Sequence, residues 1–250
     1  MLIDSHCHVL SSEYEDVNDV LNSVFKSETK KIIINGYDVK SSIEAVEIAS
    51  KNKDVYAAVG IGPENIDDYN DKNYVIIKDL LKNKKVVAIG EIGLDYYWTT
   101  DNKEKQNHVF SKMLQLAKEN NLPVIVHSRD SINDTYELLK KYEVTGIMHC
   151  YSGSYEMAKK FIDLGFLIGI GGIVTFKNSK KIKNIVASLE LCNLSLETDS
   201  PYLTPEPYRG IKNTPCNISL IADKIAEIKS ISVDEVSKIT GHNVITKFDL

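Results

Sequence analysis

Two histidines one residue apart, His6 and His8, close the opening run Met1-Leu2-Ile3-Asp4-Ser5-His6-Cys7-His8. If that run is a strand, its side chains alternate, so Asp4, His6 and His8 share one face while Ile3, Ser5 and Cys7 take the other. Two imidazoles on one face can hold one metal ion, although a strand histidine can equally be an ordinary hydrogen-bonding group. Residues of the same chemistry end later apolar runs: Glu91, His127, His149 and Asp199. A carboxylate such as Glu91, set within Val86-Val87-Ala88-Ile89-Gly90-Glu91-Ile92-Gly93, is costly to desolvate unless it is paired, hydrogen-bonded or on a metal. Few cations lie near these residues in sequence. A shared metal site built from His6, His8, Glu91, His127, His149 and Asp199 therefore explains the set better than a buried salt bridge does.

Such a site needs a scaffold that brings distant residues together. Apolar residues at Val17, Val20, Leu21, Val24 and Phe25 have helical spacing, and the β-branched run 31–36 that follows reads as a buried strand. Helices then alternate with strands: helix 41–52, strand 55–60, helix 74–81, strand 86–93, helix 103–121 and strand 123–127. A helix through Leu138 and Leu139 precedes strand 146–149, and helix 155–164, strand 166–171, helix 179–189 and strand 194–199 follow. Residues 218–248 supply one or two closing helices. About eight strands separated by helices are the pattern of an α/β (β/α)₈ TIM barrel, and no linker or repeat divides it, so the chain reads as a single domain over 1–250. All C-terminal strand ends of a barrel open onto one face, where the six candidates would converge.

Composition sets bounds. With 250 residues, 43% of them hydrophobic, the chain can bury a large core, and a net charge of −5 argues against a protein that grips nucleic acid through a broad basic face, so any nucleic-acid contact should be local. Cys7, Cys150, Cys192 and Cys216 lie far apart with no Cys-x-x-Cys spacing, which suits free thiols in a reducing compartment. Neither a signal peptide nor a membrane span is read, so the expected location is cytoplasmic, and nothing marks a stable protein partner. His108 falls in a helix pattern and His242 in the C-terminal region, both as ordinary surface or capping residues. Cys7 and Cys150 are expected to point into the core, away from the adjacent histidines. Lys177, Lys180, Lys181 and Lys183 read as a solvated helix face.

The blocks around these residues closely resemble the TatD-like metal-dependent deoxyribonucleases of the amidohydrolase superfamily. The resemblance covers almost the whole chain through Ile3-Asp4-Ser5-His6-Cys7-His8, Gly90-Glu91-Ile92-Gly93-Leu94-Asp95-Tyr96, Leu122-Pro123-Val124-Ile125-Val126-His127-Ser128-Arg129-Asp130, Gly146-Ile147-Met148-His149-Cys150-Tyr151-Ser152-Gly153 and Glu197-Thr198-Asp199-Ser200-Pro201-Tyr202-Leu203. It implies two divalent metal ions per chain (Mg, Mn or Zn), one on His6, His8, Glu91 and Asp199 and one on Glu91, His127 and His149, with Glu91 bridging. Arg209, Gly210, Asn213 and Pro215 resemble the family's substrate-side loop. Two departures stand out: Gly60-Ile61-Gly62-Pro63-Glu64 where members usually show Gly-x-His-Pro, and Thr214 where many have Glu before the loop proline. Neither removes a metal ligand.

Two ions about 3.5–4 Å apart suit phosphate-ester hydrolysis. Glu91 and Asp199 are the expected catalytic residues, with Asp199 orienting or deprotonating the attacking water. Arg129 and Arg209, with Ser128 and Ser152, would hold phosphoryl oxygens, and Asn213 joins them as a substrate-side candidate. Tyr96, Tyr97 and Trp98 would stack a terminal base or form lid packing. The resemblance implies a 3′–5′ exodeoxyribonuclease whose partners are single-stranded DNA ends, or RNA. The alternatives are an esterase or deacylase, for example on misacylated tRNA, a small-molecule hydrolase, and a non-catalytic metal-binding scaffold.

Overall fold

A computed structural model describes residues 1–250. Eight parallel strands run in chain order around the sheet: β1 Leu2–Cys7, β2 Thr29–Asn35, β3 Val55–Val59, β4 Val86–Asp95, β5 Val124–Arg129, β6 Gly146–Met148, β7 Leu167–Ile170 and β8 Leu194–Leu196. The intervening helices are α1 Val17–Lys26, α2 Val39–Lys51, α3 Asp71–Leu80, α4 Lys103–Asn120, α5 Ile132–Tyr142, α6 Tyr155–Asp163 and α7 Lys180–Ser188, and α8 Ile218–Lys229 and α9 Val233–Phe248 close the chain. This is the expected barrel architecture. Several strands, such as β2 with Ile32, Ile33 and Ile34, are buried on both faces, which is why they read as continuous apolar runs.

Element ends differ from the sequence reading where side chains set them. Helix α2 starts at Val39 because Asp38 caps it, accepting from the Ser41 N–H at 2.7 Å. Strand β4 runs on to Asp95, still in register with Arg129 of β5. Strand β8 stops at Leu196, three residues early, where its partner β7 ends at Ile170, and it forms no ladder with β1.

The seam between β8 and β1 is instead closed by individual bonds. The Ser5 hydroxyl donates to Leu196 O at 2.9 Å, the Asp199 N–H to His6 O at 3.0 Å and the His8 N–H to Ser200 O at 2.7 Å. Asp4 is fully buried there, accepting from the Thr198 N–H at 2.9 Å and the Thr198 hydroxyl at 2.5 Å. Asp4 was expected on the same face as His6 and His8. A register shift in β1 between Asp4 and Cys7 breaks that alternation, so Asp4 serves the seam while the histidines reach the mouth.

Two apolar layers hold the barrel. One lies between strands and helices; the other fills the interior with Ile3, Ile33, Ala58, Ala88, Ile125, Ile147 and Leu167 from seven successive strands. Val244 and Phe248 of α9 join the interior layer. Helix α9 therefore crosses the N-terminal ends of the strands as a floor, so close that a Cβ on Gly241 would stand 2.3 Å from Met1 O. All four cysteines are free, and no helix is long and apolar enough to cross a membrane.

Candidate metal centre

The opposite end of the barrel gathers the polar strand termini. His6 and His8 leave β1 and Glu91 lies at a register shift in β4. His127 is in β5, His149 follows β6, and Asp199 follows β8. A left-handed backbone (φ 54°) at Asp199 accompanies the turn of the chain there. The structure brings all six side chains into one cluster.

Glu91 divides that cluster. Its Oε2 lies 3.5 Å from His6 Nε2 and 3.4 Å from His8 Nε2, while its Oε1 lies 3.1 Å from His127 Nδ1 and 3.5 Å from His149 Nε2. Asp199 Oδ1 completes the first group at 3.6 Å from His6 Nε2 and 3.7 Å from His8 Nε2. Donor atoms held about 2.1 Å from one ion at tetrahedral angles are about 3.4 Å from each other. The spacing within each group matches that edge, and no lysine or arginine nitrogen lies in the cluster to pair the carboxylates instead. The spacing fits a divalent ion among His6, His8 and Glu91 and another among Glu91, His127 and His149, while Asp199, beside His6 and His8, also shares a group with His6 and His149.

The far side of each ring fixes which nitrogen is available. His8 Nδ1 is 2.9 Å from Asn35 O, a carbonyl that can only accept, so the proton sits on Nδ1 and Nε2 keeps its lone pair. His127 Nε2 is 2.9 Å from Asp95 Oδ2, which leaves Nδ1 facing Glu91. His149 stacks on His6 with ring centroids 3.7 Å apart, and its Nδ1 lies 3.3 Å from Glu197 Oε1 at an angle short of a hydrogen bond. His6 Nδ1 has no partner.

Charge at the site follows from burial and crowding. Burial, then the neighbouring His149, pushes His6 down to about 3, and burial does the same to His149. Both rings are therefore neutral, the form that binds a cation. Burial also works against charge on His127, but Asp95 and Glu91 on its two sides outweigh it and hold the ring up at about 10. Burial disfavours the Glu91 carboxylate, yet the His127 bond and the adjacent histidines keep it well below its usual range. Burial, followed by the charges of Glu91 and Glu197, raises Asp199 well above the usual carboxylate range.

The cluster forms the base of a cleft of about 820 Å³, whose walls include Tyr37, Glu64, Trp98, Arg129, Ser152 and Tyr202. Arg129 stacks under Tyr97, 3.6 Å from the ring centroid, and Trp98 Nε1 donates to Glu64 Oε1 at 3.1 Å. Tyr96 is buried, and its hydroxyl donates to Asp134, so it packs away from the cleft that Trp98 walls. Gly62 lines the cleft where the resemblance anticipates histidine. Ser128 borders it too, but its hydroxyl is within 3.1 Å of Ser131 and 3.0 Å of Thr135 at the start of α5. Arg209 lies over the Phe176 ring, outside the cleft lining. Asn213 is fully buried: its amide donates to Thr198 O and Tyr202 O and accepts from the Thr214 N–H and the Asn217 amide, so it holds the loop together. Cys150, expected in the core, lines the cleft, because a left-handed turn (φ 43°) follows His149.

Two carboxylates behind the histidines, Asp95 and Glu197, had no role in the sequence reading. Both stand in strand-end blocks beside the ligands, and that proximity was the one signal available.

Fold and site together define a single-domain α/β barrel with a His/Asp/Glu centre at the C-terminal ends of its strands. The TatD related DNase family matches residues 3–249, and the chain belongs to that family. It is 39% identical over 247 residues to the uncharacterized metal-dependent hydrolase YabD of Bacillus subtilis, covering 97% of each chain. It is similar in structure to YjjV, a TatD homolog from Escherichia coli, with a TM-score of 0.92 at 30% identity over 100% of this chain and 98% of that one. A TatD family hydrolase from Entamoeba histolytica shares the fold with a TM-score of 0.89 at 24% identity, over 99% of this chain and 97% of that one.

Proposed function

We propose that this protein is a metal-dependent phosphodiester hydrolase that removes nucleotides from the 3′ end of single-stranded DNA. The observation that carries the reading is the division of Glu91, one oxygen toward His6 and His8 and the other toward His127 and His149, at the base of the cleft. Divalent ions at the two positions would supply Lewis acidity, both to activate a water and to neutralise charge on a phosphoryl oxygen. Family membership and the printed names of the relatives, metal-dependent hydrolases, support the metal-dependent part.

The chain's own groups have distinct tasks. Asp199, beside His6 and His8, orients the attacking water and accepts its proton. Arg129 stands in the cleft wall with its guanidinium stacked on Tyr97, where it can meet a phosphate in bidentate geometry. Trp98 and Tyr202, both more than half exposed, offer ring faces at the mouth for an unpaired terminal base. The volume holds a terminal nucleotide or two, in keeping with a net charge of −5 that disfavours a long duplex footprint. The four free thiols support a cytoplasmic setting.

The test is a time course on 3′- and 5′-labelled single-stranded DNA with Mg²⁺ or Mn²⁺, with and without chelator. A ladder that shortens from the 3′ end only with metal is expected. Internal cuts, or no cleavage with any metal, would move the reading to a small-ester hydrolase.

A further inference from the structure

We propose that Glu197 is the positioning residue of the second metal position, the acceptor that fixes the His149 ring from behind; this rests on the metal-centre reading above. Glu197 is fully buried, one residue past β8, and its Oε1 accepts the Cys150 N–H while lying 3.3 Å from His149 Nδ1. A single carboxylate oxygen thus holds the backbone that follows His149 and faces the ring of His149 itself.

The need for such an acceptor follows from the ring. An imidazole that offers Nε2 to a cation carries its proton on Nδ1, and a buried N–H without an acceptor is costly. His8 meets this need with Asn35 O and His127 with Asp95. For His149, Glu197 Oε1 is the group in place, and a small rotation of the ring turns the 3.3 Å approach into a hydrogen bond. The ring also stacks on His6, so its tilt bears on both halves of the cluster.

Space for this carboxylate is made by glycine. A Cβ on Gly169 of β7 would stand 2.6 Å from Glu197 Oε2, an oxygen that has no hydrogen-bond partner. Gly169→Ala would therefore press the carboxylate aside without removing it, and would also crowd Met148 O at 3.0 Å, just before His149. Two different substitutions, one on β7 and one just past β8, should produce one defect, at a ring that neither of them alters.

The experiment uses the full chain stripped of metal and titrated with Zn²⁺ against a chromophoric chelator, with Co²⁺ absorption reporting ligand geometry. Glu197→Gln keeps an acceptor and should weaken the more loosely held zinc about 10-fold, Glu197→Ala about 100-fold. Gly169→Ala should resemble Glu197→Ala, and in all three the tighter zinc should keep its wild-type affinity even where the metal-free chain melts lower, since a buried acceptor is lost or crowded. Unchanged zinc affinities with the wild-type Co²⁺ spectrum overturn the assignment, and so does equal weakening of both zincs. Should Glu197→Ala fail to fold, Glu197→Gln and Gly169→Ala decide the matter by the same criteria. His149→Ala separates the two readings: if it takes up zinc like wild type, the metal centre itself is wrong and this inference falls with it.

Discussion

Asp95 Oδ2 lies 2.9 Å from His127 Nε2, and that contact turns the other nitrogen of the ring toward Glu91. The same carboxylate accepts the Tyr97 N–H through Oδ1 at 2.9 Å, so both its oxygens are committed. Asn at this position would have one acceptor for two donors. Asp95→Asn should therefore weaken metal binding on the His127 side about 10-fold or more, with the chain still folded. Calorimetric titration with Zn²⁺ or Mn²⁺ checks this; unchanged binding would show that the ring needs no fixed tautomer.

Glu91 serves both halves of the cluster, whereas His149 meets Glu91 through one oxygen only. Metal content after dialysis should accordingly fall at both positions in Glu91→Gln and chiefly at one in His149→Ala. Mass spectrometry of metal per chain gives the comparison directly. Equal losses from the two variants would argue against a shared carboxylate.

Turnover and binding should separate at Asp199. Asp199→Asn removes the proposed proton acceptor but leaves Arg129, Glu91 and the histidines, so kcat should drop by about 10²-fold or more while affinity for a short single strand falls much less. Steady-state kinetics on a labelled oligonucleotide, paired with fluorescence anisotropy for binding, reads the two effects. A loss confined to KM would assign Asp199 to substrate grip.

Stability should respond at the barrel seam. Thr198→Val removes the hydroxyl that donates to buried Asp4 and accepts the Ser200 N–H at 3.2 Å. With buried polar groups left unpaired, the cost should be about 1–3 kcal/mol. Urea unfolding of metal-free protein measures it, and a change below about 0.5 kcal/mol, the size of an ordinary surface substitution, would mean that the seam does not depend on this bond.

The barrel and the converging ligand candidates were legible for one reason. Apolar strands at regular intervals imply a barrel, and a barrel sends every strand end to the same face, so His6, Glu91, His127, His149 and Asp199 could be grouped without any contact being known. What escaped was whatever depends on departures from ideal strands. The shift in β1 sends Asp4 to the seam, and the left-handed turn at Cys150 brings that residue to the cleft wall. Ser128 and Asn213 have the right chemistry for substrate, but their hydrogen bonds to Ser131, Thr135, Thr198 and Tyr202 are three-dimensional facts. Asp95 and Glu197 were hidden one layer deeper, since orienting a ligand leaves no spacing of its own in the sequence.

The floor made by Val244 and Phe248 has a consequence for traffic. With the barrel sealed beneath the cluster, a strand cannot thread through the molecule, and whatever enters the cleft leaves by the way it came. If the proposed exonuclease activity holds, a released nucleotide would stand between the centre and the next residue of its own strand. Each cycle would then have to clear its product outward before the shortened end could advance, so free mononucleotide in solution should compete with the strand for the same doorway.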